Sequence, residues 1–430
     1  MKKTAAVLLL MCFLLCLAGC GINMFENVEI LRPPGVTGSN SGIRECIEAS
    51  SGGNYVLKYP AHGSFRSAVI VKDLDFDGVD ECVAFFKPDA SDNIKVMVAS
   101  LKEDVWQIDA DFAESFAQID TVDFCDLNGD GMEEIVVGWG GFNALPDKIA
   151  VYAVIDGEFK RLCAESTYDS FYCGRFTDSK FDSIILLTLS RADCQAKASL
   201  VTMNDQRNDL KLASDVEMNS DVAAFDRVSY GYINKNKYGL AIDGHMSNGK
   251  YVTQVVCCEG KTTIGVPYSH KCDYSVKCCD INRDGIIEIP SVSSLKTEEG
   301  YEPSDDVCFV TWNDLNLEKN TLNPKDYTVF CESDNWLYKV NGDFKDKNTV
   351  SPEKDGGYGF YKWNSEAYVP KKDELLFVIK RFDEQYGHSG DDGSKYEEIV
   401  RDGSLCYAAR IESQSGISVE EIKENIILPE

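Results

Sequence analysis

One acidic loop, repeated three times in register, constrains this chain more than any other feature. Asp73-Leu74-Asp75-Phe76-Asp77-Gly78-Val79-Asp80-Glu81 precedes an apolar run at residues 82–86. Asp126-Leu127-Asn128-Gly129-Asp130-Gly131-Met132-Glu133-Glu134 precedes another at 135–139, and Asp280-Ile281-Asn282-Arg283-Asp284-Gly285-Ile286-Ile287-Glu288 a third at 289–292. Two worn copies lie between the second and third. One runs from Gly174-Arg175-Phe176 through Asp182 to residues 184–189, and the other from Gly231-Tyr232-Ile233 to residues 239–242. Measured at Asp73, Asp126, Arg175, Tyr232 and Asp280, the steps are 53, 49, 57 and 48 residues. A fixed period of this size means a repeat architecture, in which no unit buries its apolar faces alone.

Each step holds about four strand-like segments. In the first unit they fall at residues 81–87, 94–101, 105–112 and 116–124, several of them separated by Asp, Asn, Gly or Pro turns. Four short strands per fifty-residue unit is the arithmetic of a β-propeller blade. The expected fold is therefore mainly β, a propeller of four-stranded blades with five repeats detectable and room for six or seven. The sequence divides into a leader at residues 1–19, a tether and entry segment at 20–58, the repeats at 59–330 and a small C-terminal α+β domain at 331–430. Within the entry segment, 41–49 reads as a short helix and 55–59 as a strand. In the last part, strands are expected at 335–340, 358–364, 375–382 and 405–411. A terminal helix is expected at 419–426, N-capped by Ser418. The alternative is that some of these strands complete further blades.

Numbering the first acid of each loop as position 1, side-chain oxygens recur at positions 1, 3, 5 and 9. These are Asp73, Asp75, Asp77 and Glu81; Asp126, Asn128, Asp130 and Glu134; and Asp280, Asn282, Asp284 and Glu288. Val79, Met132 and Ile286 at position 7 would offer backbone carbonyls. Gly78, Gly131 and Gly285 sit at position 6, where the loop turns sharply. A hard cation such as calcium takes six or more oxygens from a tight, acid-lined loop of this kind. The opening resembles an EF-hand, but position 12 is Ala84, Val137 and Ser291 instead of a bidentate Glu, and the flanks are β-like.

Over residues 65–330 the Asp-x-[Asp/Asn]-x-Asp-Gly-x-x-Glu loops resemble the calcium-binding loops of FG-GAP/VCBS repeats, the integrin-alpha-like β-propellers. The literal Phe-Gly and Gly-Ala-Pro elements are absent. The resemblance implies a loop between blade strands, held by structural calcium. The worn copies place Arg175, Thr177 and Ser179, and Tyr232, Asn234 and Asn236, at the ligand positions, so no metal is expected there.

The N-terminus reads as a leader. Lys2 and Lys3 precede an apolar run at residues 5–18 that ends in Leu17-Ala18-Gly19-Cys20. The run suits a signal better than a membrane span. Leu-Ala-Gly-Cys resembles the bacterial lipobox, which implies lipid on the Cys20 thiol, cleavage before it and a membrane anchor on the extracytoplasmic face. Cleavage would move the formal charge from −28 to −30, since both leading lysines leave. So acidic a surface excludes nucleic acid as a partner. Of 17 cysteines, Cys12 and Cys16 leave with the leader and Cys20 takes lipid. Most of the others fall in strand-like runs and read as small buried hydrophobes, without metal-like Cys/His spacing.

Nothing in the chain nominates a catalytic centre. His62, His245, His270 and His388 sit in no nucleophile context, and phosphate-loop and nucleophile-elbow motifs are missing. Gly138-Trp139-Gly140-Gly141-Phe142 resembles a ligand loop but follows a strand, and Trp139, Trp312, Trp336 and Trp363 read as core before they read as sugar platforms. The expected role is a surface binding module for an extracellular protein or glycan, without catalysis. The alternatives are a surface enzyme acting on glycans or peptidoglycan, and a structural accessory of an envelope assembly.

Overall fold

A computed structural model describes residues 41–429 apart from 142–146, 191, 193, 300–305, 368–370, 384–395 and 413–414. The leader, Cys20 and His388 lie outside the described residues. Strands make up 61% of the structure and helices 6%, so the core must come from sheet faces. Among the described residues there are six antiparallel sheets, spanning residues 55–114, 118–168, 170–220, 222–272, 289–339 and 348–411. The second, third and fourth are plain four-stranded meanders. In the first, Tyr55–Leu57 and Val69–Lys72 share one edge of Glu81–Pro88, forming a first strand in two pieces. In the sixth, Leu405–Ile411 pairs with Lys371–Asp383, leaving Glu397–Asp402 at the edge.

Side chains alternate across each strand, and both faces of the middle sheets are buried. Phe85 and Val98 of the first sheet meet Val137 and Trp139 of the second. On the opposite face of the second, Val136 and Val151 meet Ile184 and Leu186 of the third. Ile185 and Leu187 then meet Leu240 and Ile242 of the fourth, and Ala241 and Val255 meet Ile289 and Leu315 of the fifth. Finally Phe309 and Val329 meet Phe360 and Phe377 of the sixth. The sheets thus follow one another face to face. The outward face of the first is covered by helix α1, Ser41–Ser51, through Ile43, Cys46 and Ile47.

The expected strands recur at Glu81–Pro88, Ile94–Lys102, Val105–Glu114 and Gln118–Cys125. Grouping them in one unit was wrong by one strand, because Gln118–Cys125 opens the second sheet. The first two acidic loops join the first strand of their sheet to the second, so a unit begins one strand before its loop; the third loop leads directly into Ile289–Ser294, the first strand of the fifth sheet. The boundary expected near residue 330 falls inside strand Thr321–Cys331, and Trp336–Lys339 and Ile426–Ile427 extend the fifth sheet. The terminal helix is Val419–Asn425, and the Ser418 hydroxyl accepts the Glu421 amide at 3.1 Å as its N-cap.

Fourteen cysteines are described and all are free, ten of them buried. Cys257 packs in the seam between the fourth and fifth sheets and its neighbour Cys258 in the seam between the third and fourth, as strand alternation requires. The Gly138-Trp139-Gly140 stretch is a buried strand, and Phe142 lies outside the described residues. A Cβ on Gly138 would lie 2.2 Å from the Tyr168 hydroxyl and 2.9 Å from the Phe171 ring. Gly138→Ala is therefore expected to lower stability by about 1–3 kcal/mol in a urea melt; an unchanged midpoint would remove the packing role.

Candidate metal centres

The three acidic loops share one backbone. Position 6 has positive φ in each, 90° at Gly78, 92° at Gly131 and 86° at Gly285. Position 4 is also left-handed, with φ 58° at Phe76, 77° at Gly129 and 64° at Arg283. The acid at position 5 accepts the amide at position 7, Asp77 from Val79 at 2.7 Å, Asp130 from Met132 at 2.9 Å and Asp284 from Ile286 at 3.0 Å. The glutamate at position 9 folds back onto the amide at position 2, Glu81 on Leu74 at 2.9 Å, Glu134 on Leu127 at 2.6 Å and Glu288 on Ile281 at 3.0 Å. The loop thereby turns its position-9 carboxylate inward.

In the first loop, Asp73, Asp75 and Glu81 bring carboxylate oxygens within 4.8 Å of one another. Asp73 Oδ2 accepts the Gly78 amide at 3.0 Å, while its Oδ1 is buried with no hydrogen-bond partner. An orphaned carboxylate oxygen beside two more carboxylates fits a cation. Asp77 stays exposed and outside this group. In the third loop, Asp280, Asp284 and Glu288 converge in the same way. The second loop is not gathered so closely. There Asn128 Nδ2 donates to Glu134 Oε1 at 2.6 Å and to Asp130 Oδ2 at 3.0 Å, standing between carboxylates that a cation would bridge.

Burial is the main electrostatic influence on the position-9 glutamates. It raises Glu81, and the neighbouring aspartates add to the effect. Glu134, 1% exposed, is pushed up to about 8 by burial and by Asp130 and Asp126. Glu288, fully buried, is pushed to about 7 by burial and by Asp284 and Asp280. Each loop thus concentrates negative charge around a partly or fully buried glutamate.

Several contributors were invisible in the repeat pattern. Lys325 Nζ reaches Asp284 Oδ2 at 3.1 Å and Asp314 Oδ2 at 3.3 Å. Burial is the largest single influence on Asp284 and raises it, but Lys325, the Ile286 amide and Asn282 together outweigh it and the carboxyl sits below its usual value. A cation entering the third loop shares that carboxylate with an ammonium. Asp326 Oδ2 accepts from Asn282 Nδ2 at 3.0 Å. The loops are also joined across the seams. The Glu133 amide donates to the Leu74 carbonyl, the Asp182 amide to the Asp126 carbonyl and the Ile287 amide to the Tyr232 carbonyl, each at 2.8 Å. Holding one loop therefore holds its neighbour's sheet.

The worn copies are closed by their own polar groups. Thr177 and Ser179 hydroxyls bond each other at 2.7 Å, Arg175 lies 3.8 Å from Asp182, and Asn234 Oδ1 accepts the Asn236 and Lys237 amides at 2.9 Å. His62 and His245 pair with Asp120 and Asp226. Trp139, Trp312 and Trp336 are core residues, and Trp363 is half-buried.

No family model and no curated protein matches the chain. Solved structures that match include rhamnogalacturonan lyase YesW, with 11% identity and a TM-score of 0.31 over 71% of this chain and 74% of that one. A Bacillus licheniformis rhamnogalacturonan lyase matches at 10% identity and TM-score 0.30, over 86% and 96% of the two chains. Sqt1 from Chaetomium thermophilum matches at 9% and 0.26, over 82% and 96%. Likeness at this level carries no argument about activity.

Proposed function

We propose that this chain is a calcium-stabilised β-propeller lipoprotein, anchored through Cys20 on the extracytoplasmic face of a membrane and serving there as a binding module. The observation that carries the calcium reading is the convergence of Asp73, Asp75 and Glu81, and of Asp280, Asp284 and Glu288, at the positions fixed by the repeat. Six antiparallel sheets packed in sequence support the blade reading. The Leu17-Ala18-Gly19-Cys20 motif supports the anchor. No described helix is long and apolar enough to cross a membrane. Calcium in this reading is structural, holding the loops between strands.

The raised glutamates give a test. In the metal-free fold, Glu134 and Glu288 hold protons at pH values where the unfolded chain, with ordinary carboxyls, has lost them. Between those values the folded state binds more protons, so stability falls as pH rises. In chelator, the melting temperature is expected to fall from pH 5 to pH 8. Calcium favours the ionised carboxylates and should flatten or reverse that fall. An identical pH profile with and without calcium would sink the reading.

A further inference from the structure

The repeat breaks at one seam, and a cavity opens there. In the second, third and fourth sheets a full first strand precedes the loop between first and second strands. In the fifth sheet that strand is reduced to a single bridge, Cys279 to Glu288. The segment before the third acidic loop docks on the fourth sheet instead. The Cys278 amide donates to the buried Asp243 carboxylate at 2.7 Å, the Ser229 hydroxyl donates to the Cys278 carbonyl at 3.0 Å, and Lys277 pairs with Asp226 at 2.8 Å. With the segment drawn away, a cavity of about 770 Å³ remains between it, the face of the fifth sheet and the C-terminal residues 426–429. Small-molecule sites occupy roughly 300–1,000 Å³.

Its chemistry is unlike the rest of the molecule. Trp312, Phe330 and Leu337, all buried, form an apolar floor. Among its charged lining residues four are basic and three acidic, a small positive excess on a chain of net charge −28. Lys277 is committed to Asp226, and Arg227 lies near Cys279. Arg283 and Lys339 are both exposed, and among the described residues neither side chain has an ion-pair or hydrogen-bond partner. They come from different walls, Arg283 from the acidic loop and Lys339 from strand Trp336–Lys339. In so acidic a protein, two uncommitted cations at the rim of an apolar-floored cavity fit an anionic guest.

We infer that this cleft between the fourth and fifth sheets binds a compact organic anion, with a carboxylate or phosphate head held by Arg283 and Lys339 and a body of one or two rings over the Trp312 and Phe330 floor. The inference deepens the binding-module reading, and because the cleft shares Asp280 and Asn282 with the third acidic loop its test is run at one fixed calcium concentration.

The test is calorimetric binding to the full chain of three matched probes: 4-nitrophenyl glucuronide, 4-nitrophenyl phosphate and the neutral 4-nitrophenyl glucoside. At least one anion should bind about tenfold more tightly than the neutral twin, and which anion binds better identifies the head group. Lys339→Gln and Arg283→Asn should each weaken that anion about fivefold. Both sites are exposed, and asparagine tolerates the positive φ at position 283, so unchanged melting curves are expected. Equal binding of the neutral twin, no anion binding at millimolar concentration, or variants that bind like the parent would overturn the assignment. A null result here alongside a calcium-dependent melt would remove the cleft and leave the calcium reading standing.

Discussion

Phe360→Ala is expected to lower stability by about 3–5 kcal/mol, the range for losing a buried aromatic side chain. Phe360 is 1% exposed and packs on Phe377 with ring centroids 4.2 Å apart, and on Tyr338 at 5.1 Å. Tyr338 and Trp336 belong to the fifth sheet, Phe360 and Phe377 to the sixth. The cavity would therefore open in a core that two sheets share, and both should feel it. A urea or thermal melt of the variant should show one transition, displaced as a whole. An early separate transition, with the remainder melting as before, would mean that residues 348–411 fold apart from the row.

Calcium should raise the melting temperature by several degrees, and each acidic loop should carry part of the shift. Extracellular calcium modules bind with Kd of about 10⁻⁴–10⁻³ M. At free calcium about 10–100 times Kd, one site adds about 1.4–2.7 kcal/mol. Asp75→Asn and Asp284→Asn each remove a carboxylate from a converged group, so each should reduce the shift without abolishing it. Asp130→Asn tests the second loop, where Asn128 already lies between Asp130 and Glu134. The seam bonds extend the effect. Because Leu74 and Glu133 are joined, stiffening the first loop should also protect amides of the second sheet from hydrogen exchange. A melt indifferent to calcium in the parent would leave these loops as ordinary acidic turns.

The acidic loops were legible because their constraint is local. Glycine at position 6 and oxygens at alternate positions are written into nine consecutive residues, and the backbone follows them, down to the left-handed residues at Phe76 and Arg283. Helix α1 and the Ser418 cap were legible for the same reason. What escaped was non-local. The sixth sheet carries no acidic marker, and only its shared core with Phe309 and Val329 reveals its place. Its last two strands sit out of sequence order, which periodicity cannot express. Nothing near residue 278 announces that its amide will bond Asp243 of the preceding sheet and so open the cleft. Lys325 and Asp326 reach the third loop from a strand some forty residues later. Asp182 in a worn copy still braces Asp126 of an intact one, so losing the ligand pattern did not end its structural use.

The most direct measurement is a count of calcium ions on the full chain by native mass spectrometry, in the parent and in variants carrying Asp75→Asn, Asp130→Asn and Asp284→Asn. The account predicts three calcium ions, one for each loop of the repeat, with one ion lost in each single variant and none retained when all three substitutions are combined. A parent that binds no calcium, or a combined variant that binds as many ions as the parent, would contradict it.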